Sequence, residues 1–169
     1  MRRALVKDNI LEFVLAGKAL FTVNNNVTGN SMSFKVDKIK EHKKHRKDDP
    51  DIWFVRFLEN PENRRSGSYI GYVRFNEGNI EYVHSHRKSR LAEDSRQVLS
   101  FMWLLQNAMN LPPQIEFWHE GRCGRCNRPL TDTNSIENGY GPDCWQMIGA
   151  KRQFEKLSQI AENILLGEG

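Results

Sequence analysis

The sequence is short of the features that mark several large classes of protein. It has no apolar run near the roughly 18 to 20 residues that a membrane-spanning helix needs, and its mean hydropathy is -0.66. Its three cysteines are too few for the disulfide framework of a small secreted scaffold. It also lacks a phosphate-binding loop, a nucleophile elbow and a Rossmann fingerprint. We therefore expect a cytoplasmic protein that is not an enzyme and does not contact a membrane.

The composition is that of a folded protein with a mild positive charge. The chain has 169 residues, of which 38% are hydrophobic and 27% charged, and its net charge is +4. This length suits one ordinary domain, or a small domain with an appendage. The excess of Lys and Arg lies within residues 1–119, because acidic residues slightly outnumber basic ones in residues 120–169. Contact with an acidic partner is therefore expected from the first part of the chain.

Hydrophobic periodicity in residues 1–113 predicts an α+β domain. Apolar positions at helical spacing predict a short helix over residues 8–16 and a longer, amphipathic helix over residues 94–110. Between them lie five strand-like runs separated by polar turns, at residues 19–23, 32–36, 52–58, 69–75 and 80–84. Short polar connections favour an antiparallel meander of about five strands, with the longer helix packed on one face.

Residues 114–169 are predicted to form a second, zinc-binding unit. Residues 114–119 resemble a short strand that leads into the cysteines, and Pro142 is suited to the first position of a final helix. We expect a treble-clef or ribbon-like unit in which a loop or hairpin over residues 128–140 precedes that helix. The helix has an apolar stripe at spacings of three and four that suits a partner helix as well as the protein's own sheet: Ala150, Phe154, Leu157, Ala161 and Ile164.

The cysteine spacing is the strongest chemical signal in the sequence. Cys123 and Cys126 form a Cys-x2-Cys turn, and Cys144 follows in the first turn of the predicted final helix. In a reducing compartment this pattern favours metal ligation over disulfide formation. Zinc prefers four tetrahedral ligands, and His119 lies just upstream of the turn. We therefore predict one structural zinc ion held by His119, Cys123, Cys126 and Cys144.

The fourth ligand is the open point of this prediction. Four other residues could replace His119 through a carboxylate or an imidazole: Glu120, Asp143, His84 and His86. A catalytic zinc usually keeps one position open for water, whereas four potential ligands lie within residues 119–144 here. The arrangement therefore favours a closed, structural site.

The complete motif is similar to one known family. Residues 118–144 combine His119-x3-Cys123-x2-Cys126 with a later Gly139-Tyr140-Gly141-Pro142-x-Cys144. This resembles a family of uncharacterised small zinc-binding proteins found mainly in bacteriophages and prophages, and segments near the front of the chain are similar to its longer members. The resemblance implies a phage-derived protein of the bacterial cytoplasm with the four ligands on zinc. At least one zinc-containing anti-CRISPR protein has this general size, so a defence inhibitor is among the implied functions.

Two basic segments suggest where a partner could bind. Each follows a predicted strand, so both could lie on loops at one end of the sheet, and their candidate contact residues are Lys38, Lys40, Lys43, Lys44, Arg46 and Lys47, then Arg87, Lys88 and Arg90. We expect a non-enzymatic, zinc-stabilised protein that inhibits a host nuclease, such as a CRISPR-Cas effector, by protein–protein contact. The alternative is direct DNA or RNA binding through residues 38–47 and 84–90. Aromatic residues of the sheet could then stack on bases, although packing is their commoner use: Tyr69, Tyr72, Phe75 and Tyr82.

Overall fold

The computed structural model describes residues 3–39, 51–63 and 65–167. Within these ranges the fold is α+β, as the sequence predicts, with a single seven-stranded antiparallel sheet and four helices. The strands are β1 Ala4–Leu5, β2 Lys18–Asn25, β3 Ser31–Lys38, β4 Ile52–Leu58, β5 Ser68–Asn76, β6 Asn79–His84 and β7 Ile115–His119. The helices are α1 Ile10–Val14, α2 Arg96–Asn107, α3 Thr133–Asn138 and α4 Pro142–Leu165.

The sheet contains the predicted meander and two further strands. Its order is β1-β7-β2-β3-β4-β5-β6, so β2 to β6 are consecutive neighbours. β7 returns after α2 to pair with β2, and β1 pairs with the other edge of β7. β7, which the sequence analysis assigns to the C-terminal unit, therefore belongs to the sheet. The expected count of five is low because β1 has only two residues, too few to show a period of two.

The two faces of the sheet differ in what they contact. One face carries Phe21, Phe34 and Phe117, which pack against one another and against the helices. Phe101 of α2 lies 5.3 Å from Phe34 between ring centroids, and Phe13 of α1 lies 5.8 Å from Phe117. All five of these rings are fully buried, so this face holds the main core.

The opposite face combines basic and aromatic side chains. Lys35, Arg56 and Tyr69 are cross-strand neighbours in one row, and Phe54 and Tyr72 pair in the next. Directly paired residues project from the same face, so these five side chains share one surface. Phe54 is not part of the core, because its side chain is 41% exposed. We call this surface the aromatic–basic face.

The helices begin and end close to their predicted positions, with one helix missed. α2 begins after Ser95, whose hydroxyl accepts a hydrogen bond from the Val98 N–H. α1 is shorter than predicted because Asn9, and not Asp8, precedes it in a left-handed conformation. α3 lies where a loop or hairpin was expected, and Asp132 caps it by accepting from the Ser135 N–H at 2.9 Å. None of the helices in the described ranges is long and apolar enough to cross a membrane.

The Ser95 cap offers a test of how α2 is stabilised. We expect Ser95→Ala to lower the free energy of unfolding by about 1 kcal/mol, because an N-terminal N–H of the helix loses its acceptor. Urea denaturation measures this change, and Ser95→Asn is the matched control because its side chain can still accept the bond. Equal stability of the Ala variant and the wild type would contradict the assignment of the cap.

Candidate metal centre

The three cysteines, which all lie within residues 123–144, form one compact group. Their sulfur atoms all lie within 4.8 Å of one another, and none is in a disulfide. Cys123 and Cys126 come from the turn that follows β7, whereas Cys144 lies in the first turn of α4. Cys123 and Cys144 are buried and Cys126 is partly exposed. Within the described ranges this is the one group of three or more potential ligands, and it could hold a metal ion.

Backbone hydrogen bonds form the turn that carries Cys123 and Cys126. The Cys123 N–H donates to the Arg128 carbonyl at 2.9 Å, and the Asn127 N–H donates back to the Cys123 carbonyl at 2.9 Å. Asn127 has a φ of 66°, a left-handed conformation that Asn tolerates better than most residues. The Gly124 N–H donates to the Gly139 carbonyl at 3.0 Å, which joins this turn to the end of α3. We call residues 122–129 the cysteine turn.

The environment of the thiols favours one negative charge at Cys123. Burial on its own would raise the pKa of Cys123, but hydrogen bonds from the backbone of Cys126, Gly141 and Arg125 outweigh it and lower this pKa below its ordinary value. Burial raises the pKa of Cys144 to about 11, although the Arg125 guanidinium, 3.7 Å from its sulfur, acts in the opposite direction. A bound cation would compensate the repulsion between adjacent thiolates, as in metal–cysteine sites generally.

The structure places His119, the predicted fourth ligand, outside the group of three sulfur atoms. The imidazole is fully buried and both of its nitrogens are hydrogen-bonded. Its Nδ1 accepts from the Gly121 N–H at 3.0 Å, and its Nε2 lies 2.5 Å from the Ile136 carbonyl, to which it donates. Burial lowers the pKa of His119, so the neutral ring is favoured. His119 therefore joins the end of β7 to α3 beside the cysteines.

Three of the four alternative ligands are also engaged elsewhere. Glu120 accepts a hydrogen bond from Thr22 and lies 3.4 Å from the Arg3 guanidinium. His84 is hydrogen-bonded to the Tyr82 hydroxyl at 2.9 Å, and His86 lies 3.4 Å from the Glu93 carboxylate. None of them is in the sulfur group.

The fourth alternative, Asp143, is also absent from the sulfur group, but it borders a cavity that two of the cysteines line. Its side chain is exposed, and it lines a cavity of about 140 Å³ together with Cys126 and Cys144. Asp132 lines the same cavity, but its carboxylate caps α3. The cavity is thus bordered by two of the three cysteines and by the Asp143 carboxylate, which, unlike that of Asp132, does not cap a helix.

Phe13 connects the cysteine turn to the sheet, a role that sequence patterns did not indicate. A Cβ atom on Gly124 would lie 2.6 Å from Phe13 Cε2, and one on Gly139 would lie 3.1 Å from the same atom. The ring therefore lies in a gap that exists because both residues are glycines. The Phe13 ring centroid is also 6.1 Å from that of His119 and 5.7 Å from that of Tyr140. The periodicity of residues 8–16 predicts a helix but contains no information on this long-range contact.

The described basic residues do not form one surface. Lys38 lies 3.3 Å from the Asp51 carboxylate and over the ring of Trp53. Arg87, Lys88 and Arg90 are exposed. The other predicted contact residues of the first segment lie outside the described residues: Lys40, Lys43, Lys44, Arg46 and Lys47.

The chain leaves β3 and β6 in opposite directions. β3 pairs antiparallel with β4, β4 with β5, and β5 with β6, so β3 and β6 are antiparallel to each other. The two basic segments begin at the C-terminal ends of these strands, at Lys38 and after His84. β3 and β6, the strands that precede the two basic segments, therefore end at opposite ends of the sheet, and residues 40–47 of the first segment lie outside the described residues. The predicted meander already implies these opposite ends, because three antiparallel steps separate the second and fifth of its strands.

Comparison with known proteins identifies similarity only around the cysteines. Residues 117–149 match the model of a family of unknown function, DUF6011. This range includes the last three residues of β7, the cysteine turn, α3 and the first turns of α4. No curated protein and no solved structure matches the chain. The matched segment thus coincides with the structural unit that brings the three sulfur atoms together.

The close approach of Phe13 to Gly124 can be tested by adding one methyl group. We expect Gly124→Ala to lower the free energy of unfolding by about 1–3 kcal/mol, because the new Cβ overlaps the Phe13 ring. Gly149→Ala is the matched control: no atom lies within 4 Å of its Cβ position, and alanine should stabilise α4 by about 0.5–1 kcal/mol.

A double-mutant cycle separates this contact from other effects of the substitution. In a Phe13→Leu background the additional cost of Gly124→Ala should fall, because the overlapping ring is gone. Chemical denaturation of the four proteins gives the coupling free energy. Strict additivity of the two substitutions would show that Phe13 and Gly124 do not interact.

Proposed function

We propose that this is a non-enzymatic, zinc-stabilised binding protein. The observation that carries the zinc assignment is the group of three free cysteines with sulfur atoms within 4.8 Å of one another. Thiolates are soft ligands, and a cluster of them in a reducing compartment suits zinc among the common divalent ions. The cysteine turn, β7 and α3 together contribute few buried apolar side chains, so a metal would replace part of a core.

For the fourth ligand we propose Asp143. His119 has both nitrogens hydrogen-bonded, whereas Asp143 is exposed and borders the same cavity as Cys126 and Cys144. Carboxylate oxygen is an accepted zinc ligand. In this arrangement His119 supports the site indirectly. Its ring is hydrogen-bonded to Gly121, just before the cysteine turn, and to Ile136 of α3.

The proposed role of the metal is to fix α4 relative to the sheet. Cys144 lies in the first turn of α4, and the other two sulfur ligands lie on a turn that packs against Phe13. One ion bound to all three sulfur atoms would connect the helix to this turn. This role requires no catalysis. Two of the three cysteines are buried, which also suits a structural centre.

The partner we propose first is a protein of the nucleic-acid machinery, as the phage-type motif suggests. A host nuclease such as a CRISPR-Cas effector is the specific hypothesis, with inhibition by protein–protein contact. The opposite directions in which β3 and β6 end count against a single continuous phosphate-binding surface made by the segments that follow them. A protein partner does not require such a surface.

Direct binding of single-stranded nucleic acid is the second candidate, supported by the aromatic–basic face. Phe54 and Tyr69 are in edge-to-face contact at 5.4 Å between centroids, and Arg56 and Lys35 project from the same face. Exposed aromatic rings beside cations can stack bases and neutralise phosphates. Of the four aromatic residues predicted for this role, Tyr69 and Tyr72 lie on this face, whereas Tyr82 packs against Phe101 in the core.

The zinc assignment predicts a coupled loss of metal and stability. We expect the Cys123→Ser, Cys126→Ser variant to lose its zinc and to have a clearly lower Tm, because the thiolates that bind the ion are gone. Metal content by mass spectrometry and thermal unfolding by circular dichroism measure the two effects. Full stability of this variant in a metal-free state would rule out a structural role.

Two single variants, measured in the same way, identify the fourth ligand. Asp143→Asn should weaken zinc binding, whereas His119→Gln should lower Tm but retain one zinc per chain. The opposite pattern would assign the fourth ligand to His119. These two substitutions are matched, since each replaces a potential ligand with a side chain that can still form hydrogen bonds.

The two partner hypotheses are distinguished by capture from bacterial lysate with and without nuclease treatment. We expect a stoichiometric protein partner that survives nuclease. Loss of every partner on treatment, together with an affinity of the purified protein for single-stranded RNA or DNA that falls steeply with salt, would instead establish nucleic-acid binding. In that case the Phe54→Ala, Arg56→Ala variant should lose affinity, and Glu137→Ala, at an exposed position of α3, is the control.

A further inference from the structure

The C-terminal helix contacts the rest of the protein through one side of its first turns only. Cys144 and Ile148 are buried, and the Arg152 guanidinium forms an ion pair with both carboxylate oxygens of Glu12. These three residues are spaced by four and therefore follow one side of α4. Beyond Arg152, every side chain through Leu166 is exposed except Ser158 and Asn163, which are half-buried.

The exposed part of α4 carries a continuous apolar stripe. Its members alternate in spacing between three and four residues, and all are exposed: Met147, Ala150, Phe154, Leu157, Ala161 and Ile164. Phe154 is 72% exposed, Leu157 59% and Ile164 69%. At 3.6 residues per turn the centre of this stripe is on the opposite side of the helix from Ile148. The stripe therefore faces away from the body of the protein, and none of the described residues covers it.

The spacing of the stripe is that of a helix that packs against another helix. Apolar residues at alternating spacings of three and four residues occupy the first and fourth positions of the heptad repeat of a coiled coil. The residues that would flank the contact are almost uncharged: Gln146, Gln153 and Ile160 on one side, and Lys151, Ser158 and Leu165 on the other. Ile160 and Leu165 widen the apolar surface, and a flank with a single charge gives no strong repulsion when it meets a copy of itself.

The stripe is complementary to itself when two helices run in opposite directions. An antiparallel pair centred at position 159 places Phe154 against Ile164 of the second copy, and Leu157 against Ala161. Large side chains then meet smaller ones in each layer, as efficient packing requires. Ile160 and Ser158 lie next to the twofold axis, where each meets its own counterpart. A parallel pair would instead place two Phe154 rings directly opposite each other.

The area available is sufficient for a stable dimer. Residues 150–166 extend over about 25 Å at 1.5 Å per residue. Each partner in a standard interface buries roughly 800 Å². The exposed side chains of the stripe and its flanks can supply an area of this order. Large contiguous apolar patches are uncommon on monomeric proteins, because leaving them in water is unfavourable.

We propose that a second copy of this chain covers the stripe from Phe154 to Ile164, and that the protein is a homodimer joined by antiparallel packing of α4. The bodies of the two copies lie at opposite ends of the helix pair. Because the body of each copy contacts the other side of its own helix, it leaves the stripe accessible.

The oligomeric state tests this proposal directly. Sedimentation equilibrium of the zinc-loaded protein over the micromolar range should give a mass approaching twice 19.7 kDa. Leu157→Glu should raise the dissociation constant of the dimer at least about tenfold, because it would bury an unpaired carboxylate. Gln159→Glu is the matched control: it adds the same charge at an exposed position on the side of α4 opposite the stripe, so the dimer should persist.

Several results would overturn the proposal. A wild-type protein that remains monomeric throughout the range would do so, as would a Leu157→Glu variant that dimerises as well as Gln159→Glu. Circular dichroism confirms that each variant retains its fold. If the monomeric wild type cosediments with anionic lipid vesicles, the stripe binds lipid and not a second copy.

Cross-linking tests the orientation of the helices. With a short bifunctional maleimide, Ile160→Cys should give covalent dimers, since the two introduced thiols lie near the twofold axis. Phe154→Cys should give few, because that position faces Ile164 of the other copy. Efficient cross-linking through position 154 alone would exclude the antiparallel arrangement, and the wild type controls for reaction at the native cysteines.

Discussion

The packing of the Phe13 ring between Gly124 and Gly139 is the contact on which the arrangement of this protein depends. Through it α1 touches the cysteine turn, the end of α3 and the ring of His119 at the end of β7. The cysteine turn and α3 have few other buried apolar residues of their own, so their position relative to the sheet rests on this ring, on the hydrogen bonds of His119 and on the sulfur group. Any larger residue at position 124 or 139 would displace the ring and with it the whole unit.

Features that depend on neighbours in the chain were predictable from the sequence. The Cys-x2-Cys turn brings two thiols together by local geometry, and Pro142 after Gly141 fixed the start of α4. The meander from β2 to β6 followed from alternating apolar residues and short polar turns. The α+β class followed from equally local patterns, and the structure confirms it.

Features that depend on contacts between distant segments were not predictable. His119 precedes Cys123 at a spacing suited to a ligand, but the pairing of β7 with β2 directs its imidazole towards Gly121 and Ile136. α3 was missed because its six residues contain only Ile136 as a large apolar residue, too few for a helical period, so its cap at Asp132 was the one available signal.

The position of Cys144 has a thermodynamic consequence that concerns both halves of the molecule. The residue is at once a member of the sulfur group and part of the first turn of α4. The proposed ion would therefore couple its own binding to the orientation of this helix, and such coupling is reciprocal. A partner that fixes the orientation of α4 would make that ion harder to remove, and a chelator, or an oxidant that reaches the half-exposed Cys126, would in turn weaken the contact with that partner.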